Sequence, residues 1–126
     1  MLDHLSLGVR DLRRATAFYD AALGALGLAR VWTRDDGAGY GPPGGDDRLA
    51  LFVHAAAAPA PGMHLAFAAA SDEQVRAFHA AALRAGGADE GLPGLRPRYG
   101  PGYFAAFVRD PEGHRLEAVH HAPAAR

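Results

Sequence analysis

The sequence predicts an α+β fold built from two tandem βαβββ units, and three observations lead to it. An alternating, strand-like segment is followed twice by an amphipathic helix. The two copies repeat at a spacing of sixty residues, and the last stretch of the chain reads as two strands around a tight turn. Sliding the chain by that spacing sets His4 on His64, Leu5 on Leu65, Phe18 on Phe78, Leu23 on Leu83 and Gly27 on Gly87. Alanine matches carry little weight in so Ala-rich a chain, but these five fall at equivalent points of one pattern.

In the first copy, Asp3–Val9 alternates with Leu5, Leu7 and Val9 on one face and His4, Ser6 and Gly8 on the other. Asp11 is placed to cap the helix that follows. Its apolar stripe is Leu12, Ala15, Tyr19, Ala22, Leu23 and Leu26, and Gly27 ends it. In the second copy Met63–Ala69 is the strand and Ser71 the cap. Val75, Phe78, Ala82 and Leu83 form the stripe, and Gly86-Gly87 stops the helix. Strands are expected at Ala29–Arg34, Leu49–His54, Tyr103–Arg109 and His114–His121, with a further short one near Tyr40. Residues 37–47, rich in Gly, Pro and Asp, read as a loop, and 88–101 as one irregular strand and a loop. Asp110-Pro111-Glu112-Gly113 is a hairpin turn, with Pro second and Gly fourth. The organisation expected is a single domain over residues 1–126, with units at 1–55 and 62–121 and an Ala-Pro linker at 56–61.

Composition narrows the function classes. Hydrophobic content of 49% against 21% charged residues is that of a globular chain, and a formal net charge of −1 gives no general attraction to nucleic acid or acidic membranes. The 13 basic residues are all Arg, so chemistry that needs a lysine Schiff base is excluded. Cysteine is absent, which removes disulfides, thiolate metal sites and a cysteine nucleophile. No apolar run has the ~20 residues that span a bilayer. Without a basic-then-apolar leader, a soluble cytoplasmic protein is expected.

His4 and His64 hold the same pleat position on the first strand of each unit, and equivalent positions about a pseudo-twofold axis converge. Glu117 lies on the last strand, inside the apolar run Leu116-Glu117-Ala118-Val119. A buried carboxylate there is costly unless it is paired or metal-bound. Two neutral imidazoles and one carboxylate make a facial triad that holds a divalent ion and leaves positions open for substrate. The ends of the units match at a different offset, with Arg48-Leu49-Ala50 on Arg115-Leu116-Glu117 and His54 on His121.

Three segments together resemble the vicinal oxygen chelate superfamily, which contains glyoxalase I, bleomycin-resistance proteins, fosfomycin-resistance enzymes and extradiol dioxygenases. They are His4-Leu5-Ser6-Leu7-Gly8-Val9 with Phe18-Tyr19, His64-Leu65-Ala66-Phe67, and Ala106 through Glu117 with its Asp110-Pro111-Glu112-Gly113 turn. The resemblance implies paired units whose mixed strands curl around a metal cup, with the helices outside. It also implies one divalent ion (Fe, Mn, Ni, Zn or Co) on His4, His64 and Glu117, a small-molecule substrate and a homodimer. Some relatives exchange units so that the cup forms between chains. Glyoxalase I has a fourth ligand, a Glu, where the offset puts Ala50, which cannot bind metal. The remaining two-His, one-Glu set is the extradiol dioxygenase pattern and also occurs in lyase-like members.

The hairpin register decides which side chains line the cup. A turn with Gly113 in the left-handed region and a bulge pairs Phe107 with Glu117 and turns Tyr103, Ala105 and Phe107 inward; a plain two-residue turn would present Phe104 and Ala106 instead. Tyr103 and Glu117 are the candidate catalytic groups, and Phe52, His54, Tyr103 and Phe107 the candidate substrate contacts, with Trp32 and Tyr40 as further wall. His79 and His114 are expected at the surface. The expected function is a metal-dependent lyase or isomerase acting on an oxygen-chelating substrate. The alternatives are a single-domain extradiol-type dioxygenase or a small-molecule binding protein.

Overall fold

The structure is a computed structural model that describes residues 1–123. Among the described residues the first unit runs β1 (Leu5–Val9), α1 (Leu12–Gly24), β2 (Ala29–Arg34), β3 (Gly37–Gly41) and β4 (Leu49–Val53). The second runs β5 (His64–Ala68), α2 (Asp72–Arg84), β6 (Ala88–Leu95), a 3-10 turn (Pro97–Tyr99), β7 (Tyr103–Arg109) and β8 (Arg115–His121). Each unit makes its own four-stranded mixed sheet, ordered β1-β4-β3-β2 and β5-β8-β7-β6. The first strand of each pairs parallel with the last, and the other pairs are antiparallel.

Local chemistry explains the helices. The Asp11 side chain accepts from the Arg14 amide at 3.0 Å and the Ser71 hydroxyl from the Gln74 amide at 3.1 Å, as their N-cap positions require. Gln74 reaches back to the Ala70 amide at 2.8 Å, the reciprocal half of a capping arrangement. Gly27 and Gly86 end the helices at φ of 81° and 102°, where a side chain would be strained. Each helix covers one face of its own sheet, and the two helices pack on each other. Leu7, Val9, Phe18, Tyr19, Leu23, Leu51, Phe78, Val108 and Leu116 therefore share one core across both units.

Two expectations are corrected here. The Gly-rich stretch after β2 is not a loop throughout: Gly37–Gly41 is a fully buried strand between β2 and β4. Its glycines admit the rings of neighbouring strands, for a Cβ on Gly39 would lie 2.0 Å from Trp32 Nε1, and one on Gly37 2.9 Å from Phe52 Cδ1. His79 and His114 are not at the surface. They are 6% and 7% exposed, each tied to an aspartate, at 2.9 Å (His79 Nε2 to Asp89) and 2.8 Å (His114 Nδ1 to Asp110). A buried imidazole is tolerated when its ring nitrogen has such a partner.

The open faces of the sheets set up the site. On β5, His64, Ala66 and Ala68 are exposed while Leu65 and Phe67 turn toward the core; on β1 the alternation puts Ser6 outward and Leu7 and Val9 inward.

Candidate functional site

The hairpin between β7 and β8 takes the bulged register. The Gly113 amide bonds the Asp110 carbonyl at 3.0 Å, Gly113 has φ 97°, and the Asp110 amide donates to the His114 carbonyl at 2.9 Å. Phe107 is thereby paired with Glu117, and Tyr103 with His121. Tyr103 and Phe107 face the open side of the second sheet, while Phe104, Ala106 and Val108 lie in the core.

On that open side is a hollow of about 460 Å³, lined by Met63, His64, Tyr99, Tyr103, Phe107 and Glu117, with Glu90 and Arg115 at its edge. Glu117 is its chemical centre. The residue is 2% exposed, its Oε1 lies 3.1 Å from His64 Nε2, and its Oε2 accepts a short hydrogen bond from the Tyr103 hydroxyl. Burial first, then that hydrogen bond and the Glu117 charge, push the Tyr103 phenol up to about 12. Tyr103 is thus a neutral donor at ordinary pH. Its ring packs between Tyr99 and His121, with centroids at 5.3 Å and 5.0 Å.

The other sequence-derived residues lie on the first sheet. Phe52 and His54 line a separate, shallower hollow of about 230 Å³ with Ser6, Gly8, Val53, Ala57 and Ala58. The predicted substrate contacts thus divide into Tyr103 with Phe107 on one unit and Phe52 with His54 on the other. Tyr40 is no wall residue: it is 1% exposed, and its hydroxyl donates to Asp20 at 2.9 Å. Ala50 opposes Ser6 as Glu117 opposes Ala66, which places Ala50 at the position equivalent to the carboxylate.

His4 stands apart from the His64–Glu117 pair. Its ring is turned to Asp3, 2.7 Å away, with the side chain 62% exposed, and the hydrogen bond and charge of Asp3 raise its pKa. Among the described residues no group of three or more His, Asp or Glu side chains within one chain could hold a metal ion. The donor types at His64 and Glu117 nonetheless fit two positions of a divalent ion: an imidazole nitrogen and a buried carboxylate oxygen 3.1 Å apart.

A second polar cluster, which the sequence reading missed, joins the units. Asp110 accepts from the Glu112 and His114 amides, both at 2.9 Å, from His114 Nδ1 at 2.8 Å and from the Tyr19 hydroxyl at 2.6 Å. The Glu112 carboxylate accepts from the Arg10 amide at 2.7 Å and 2.8 Å and from the Asp11 amide at 2.8 Å. These contacts fasten the second unit's hairpin to the first unit's strand-to-helix junction. The signal available in the sequence was two acidic residues in a turn whose own amides could not use both.

Comparison with known proteins agrees with this architecture. The family model of the Glyoxalase/Bleomycin resistance protein/Dioxygenase superfamily matches residues 1–118. A glyoxalase/bleomycin resistance protein from Albidiferax ferrireducens T118 superposes with a TM-score of 0.84 at 35% identity, over 97% of this chain and 99% of that one. A glyoxalase-related enzyme from Fulvimarina pelagi superposes at 0.74 with 22% identity, over 95% and 87% of the two chains. A glyoxalase I mutant from Zea mays superposes at 0.71 with 22% identity, over 94% of this chain and 46% of that one. The last two are alike in fold. No match is found among curated proteins.

Proposed function

This chain belongs to the Glyoxalase/Bleomycin resistance protein/Dioxygenase superfamily, and we propose that it is a metal-dependent lyase or isomerase whose site is shared between two copies. The observation that carries the proposal is the buried Glu117 carboxylate, held between His64 and Tyr103 at the floor of an open hollow. A carboxylate this deep is expensive unless a cation or several donors face it.

His64 and Glu117 supply two ligands, and the third, His4, comes from a second copy. Three features support that arrangement. His4 and His64 repeat at one pleat position, His4 is exposed, and each unit leaves one sheet face uncovered. A twofold dimer lays the first sheet of one copy over the second sheet of the other, and does so twice, because the same surfaces serve both copies. The division of Phe52 and His54 from Tyr103 and Phe107 then has an explanation: each complete cup is built from both hollows.

His64 and Glu117, with the second copy's His4, would hold a divalent ion of the Fe, Mn, Ni, Zn or Co class, which would supply Lewis acidity to a substrate oxygen. The chain's own residues do the rest. Phe107 and Tyr99 give the substrate apolar walls, and Phe52 and His54 face it from the opposite copy. Tyr103 donates its one hydroxyl hydrogen to Glu117, and on turning from it would become a donor or acid toward a bound oxygen. Glu117 orients that hydroxyl, and as a carboxylate it can accept a proton from the substrate.

Subunit mixing tests the shared site. His4→Ala and Glu117→Ala homodimers should each lose bound metal. Unfolding and refolding them together should restore about a quarter of the wild-type metal content, because half of the dimers are mixed and each mixed dimer has one intact site. No recovery on mixing, with both variants folded, rejects a site shared between copies.

A ring-cleaving dioxygenase is the second reading. It is favoured by Ala50 at the fourth-ligand position and by His121 packed edge-on against Tyr103. Oxygen uptake with a catechol and Fe(II), set against proton exchange next to a carbonyl, separates the two chemistries.

A further inference from the structure

We propose that Trp32, Phe52 and Arg34, on the open face of the first sheet, form a binding platform for a planar conjugated carboxylate. Phe52 also faces the shared cup proposed above, so the platform deepens that reading by naming a ligand class, while its test, run in EDTA, needs no metal.

The platform follows from two cross-strand rows. Trp32 opposes Gly39, which opposes Ala50, which opposes Ser6; Arg34 opposes Gly37, which opposes Phe52, which opposes Gly8. Directly opposed residues share a face, so both rings and the guanidinium stand on the side away from the core. Where β3 would raise side chains between them it has glycine. A Cβ would lie 2.0 Å from the Trp32 indole at Gly39 and 2.9 Å from the Phe52 ring at Gly37, so both rings reach over the glycines of the sheet. Glycine weakens a strand, and an interior strand glycine marks close approach of another group. Here the approaching groups are a pair of half-buried rings with centroids 5.7 Å apart, joined at Gly37 by the Leu51 carbonyl oxygen.

Arg34 sets the charge of the ligand. Its guanidinium lies 4.7 Å from the Trp32 ring centroid and 5.7 Å from that of Phe52. Its side chain is 62% exposed, and its one ion pair among the described residues is a loose 3.7 Å contact with Asp36, itself 71% exposed. A guanidinium held over an aromatic face still has N–H donors to offer a carboxylate. Ala50, beneath the platform's edge, adds no negative charge, so an anion meets no like charge in that row. The two rings are tilted by 41°, so a flat ring stacks on one of them and meets the other at its edge, its carboxylate meets Arg34, and a cationic ligand is disfavoured.

Trp32 is the single tryptophan of the chain, so its indole N–H gives one resonance of its own in a proton–nitrogen correlation spectrum. The full chain is titrated with 2-naphthoate and, separately, with uncharged 2-naphthylmethanol, both in EDTA. The expected result is a saturable shift of the indole resonance with 2-naphthoate, and binding of the alcohol weaker by about tenfold. Arg34→Ala should remove the difference between the two probes, and Phe52→Leu should weaken both. The remaining resonances report whether each variant is folded. A titration without saturation, equal binding of acid and alcohol by the wild type, or an acid preference that survives Arg34→Ala overturns the proposal. So does a shift that appears only when Zn(II) is added. The metal reading fails on a different measurement, Zn(II) titration followed at the His64 ring, so either proposal can fall alone.

Discussion

The Tyr19 hydroxyl, on α1 of the first unit, donates a 2.6 Å hydrogen bond to Asp110 in the hairpin of the second. Both groups are buried, and burial together with the neighbouring Asp110 charge pushes the Tyr19 phenol well up. It is a contact across ninety residues of sequence, made by a helix residue whose ring belongs to the core. Tyr19→Phe keeps the ring and deletes one donor from a buried carboxylate. It should cost about 1–3 kcal/mol of stability in urea unfolding. An unchanged midpoint would mean that Asp110 is satisfied without it.

Asp110 and His114 give stability a pH window. Burial pushes Asp110 up, but the His114 and Tyr19 hydrogen bonds outweigh it and hold the carboxyl below its usual value. The Asp110 hydrogen bond raises His114. The stabilisation from His114 is complete below its ordinary value of about 6.5 and fades as pH rises through the raised one. The stabilisation from Asp110 is complete above its ordinary value of about 4 and is lost as pH falls through the lowered one. The wild type should therefore lose stability on the alkaline side of about pH 6.5 relative to His114→Asn, measured as urea midpoints across pH. Parallel curves for the two proteins would rule out a charged His114.

Glu112 serves the junction between β1 and α1. Its two oxygens take both the Arg10 and the Asp11 amides, and Gln has only one acceptor oxygen. Glu112→Gln should destabilise by about 1–2 kcal/mol and raise amide exchange at Arg10 or Asp11. Slow exchange at both amides in the variant would contradict the assignment.

At the candidate site, Tyr103→Phe should retain metal, because His64 and Glu117 are untouched, while turnover falls by tenfold or more, a loss typical of removing a general acid. Metal analysis beside steady-state kinetics checks this. Loss of metal would instead make Tyr103 a residue that positions Glu117.

Gly39→Ala tests the ring seat on β3. The added methyl meets the Trp32 indole, and overpacking of this kind costs about 1–3 kcal/mol. The Trp32 emission should shift to longer wavelength as the ring lifts into water. Emission and stability both like the wild type would show that the seat has room to spare.

The sequence by itself determined what depends on near neighbours. The period-two alternation of β1 and β5, the Asp11 and Ser71 caps, the glycine helix ends and the bulged turn at Asp110–Gly113 are all local chemistry, and the structure has each of them. The hairpin register followed from the turn, and it brought Tyr103 to Glu117 with nothing but local rules. The tertiary structure decided the rest. A glycine-rich segment became strand β3 because distant rings fill its surface, and His79 and His114 were buried because Asp89 and Asp110 take up their ring nitrogens. It also decided that His64 meets Glu117 while His4 turns to Asp3. The repeat makes the two histidines equivalent. Whether equivalent positions meet depends on how the open sheet faces are covered, and periodicity along one chain contains no term for that.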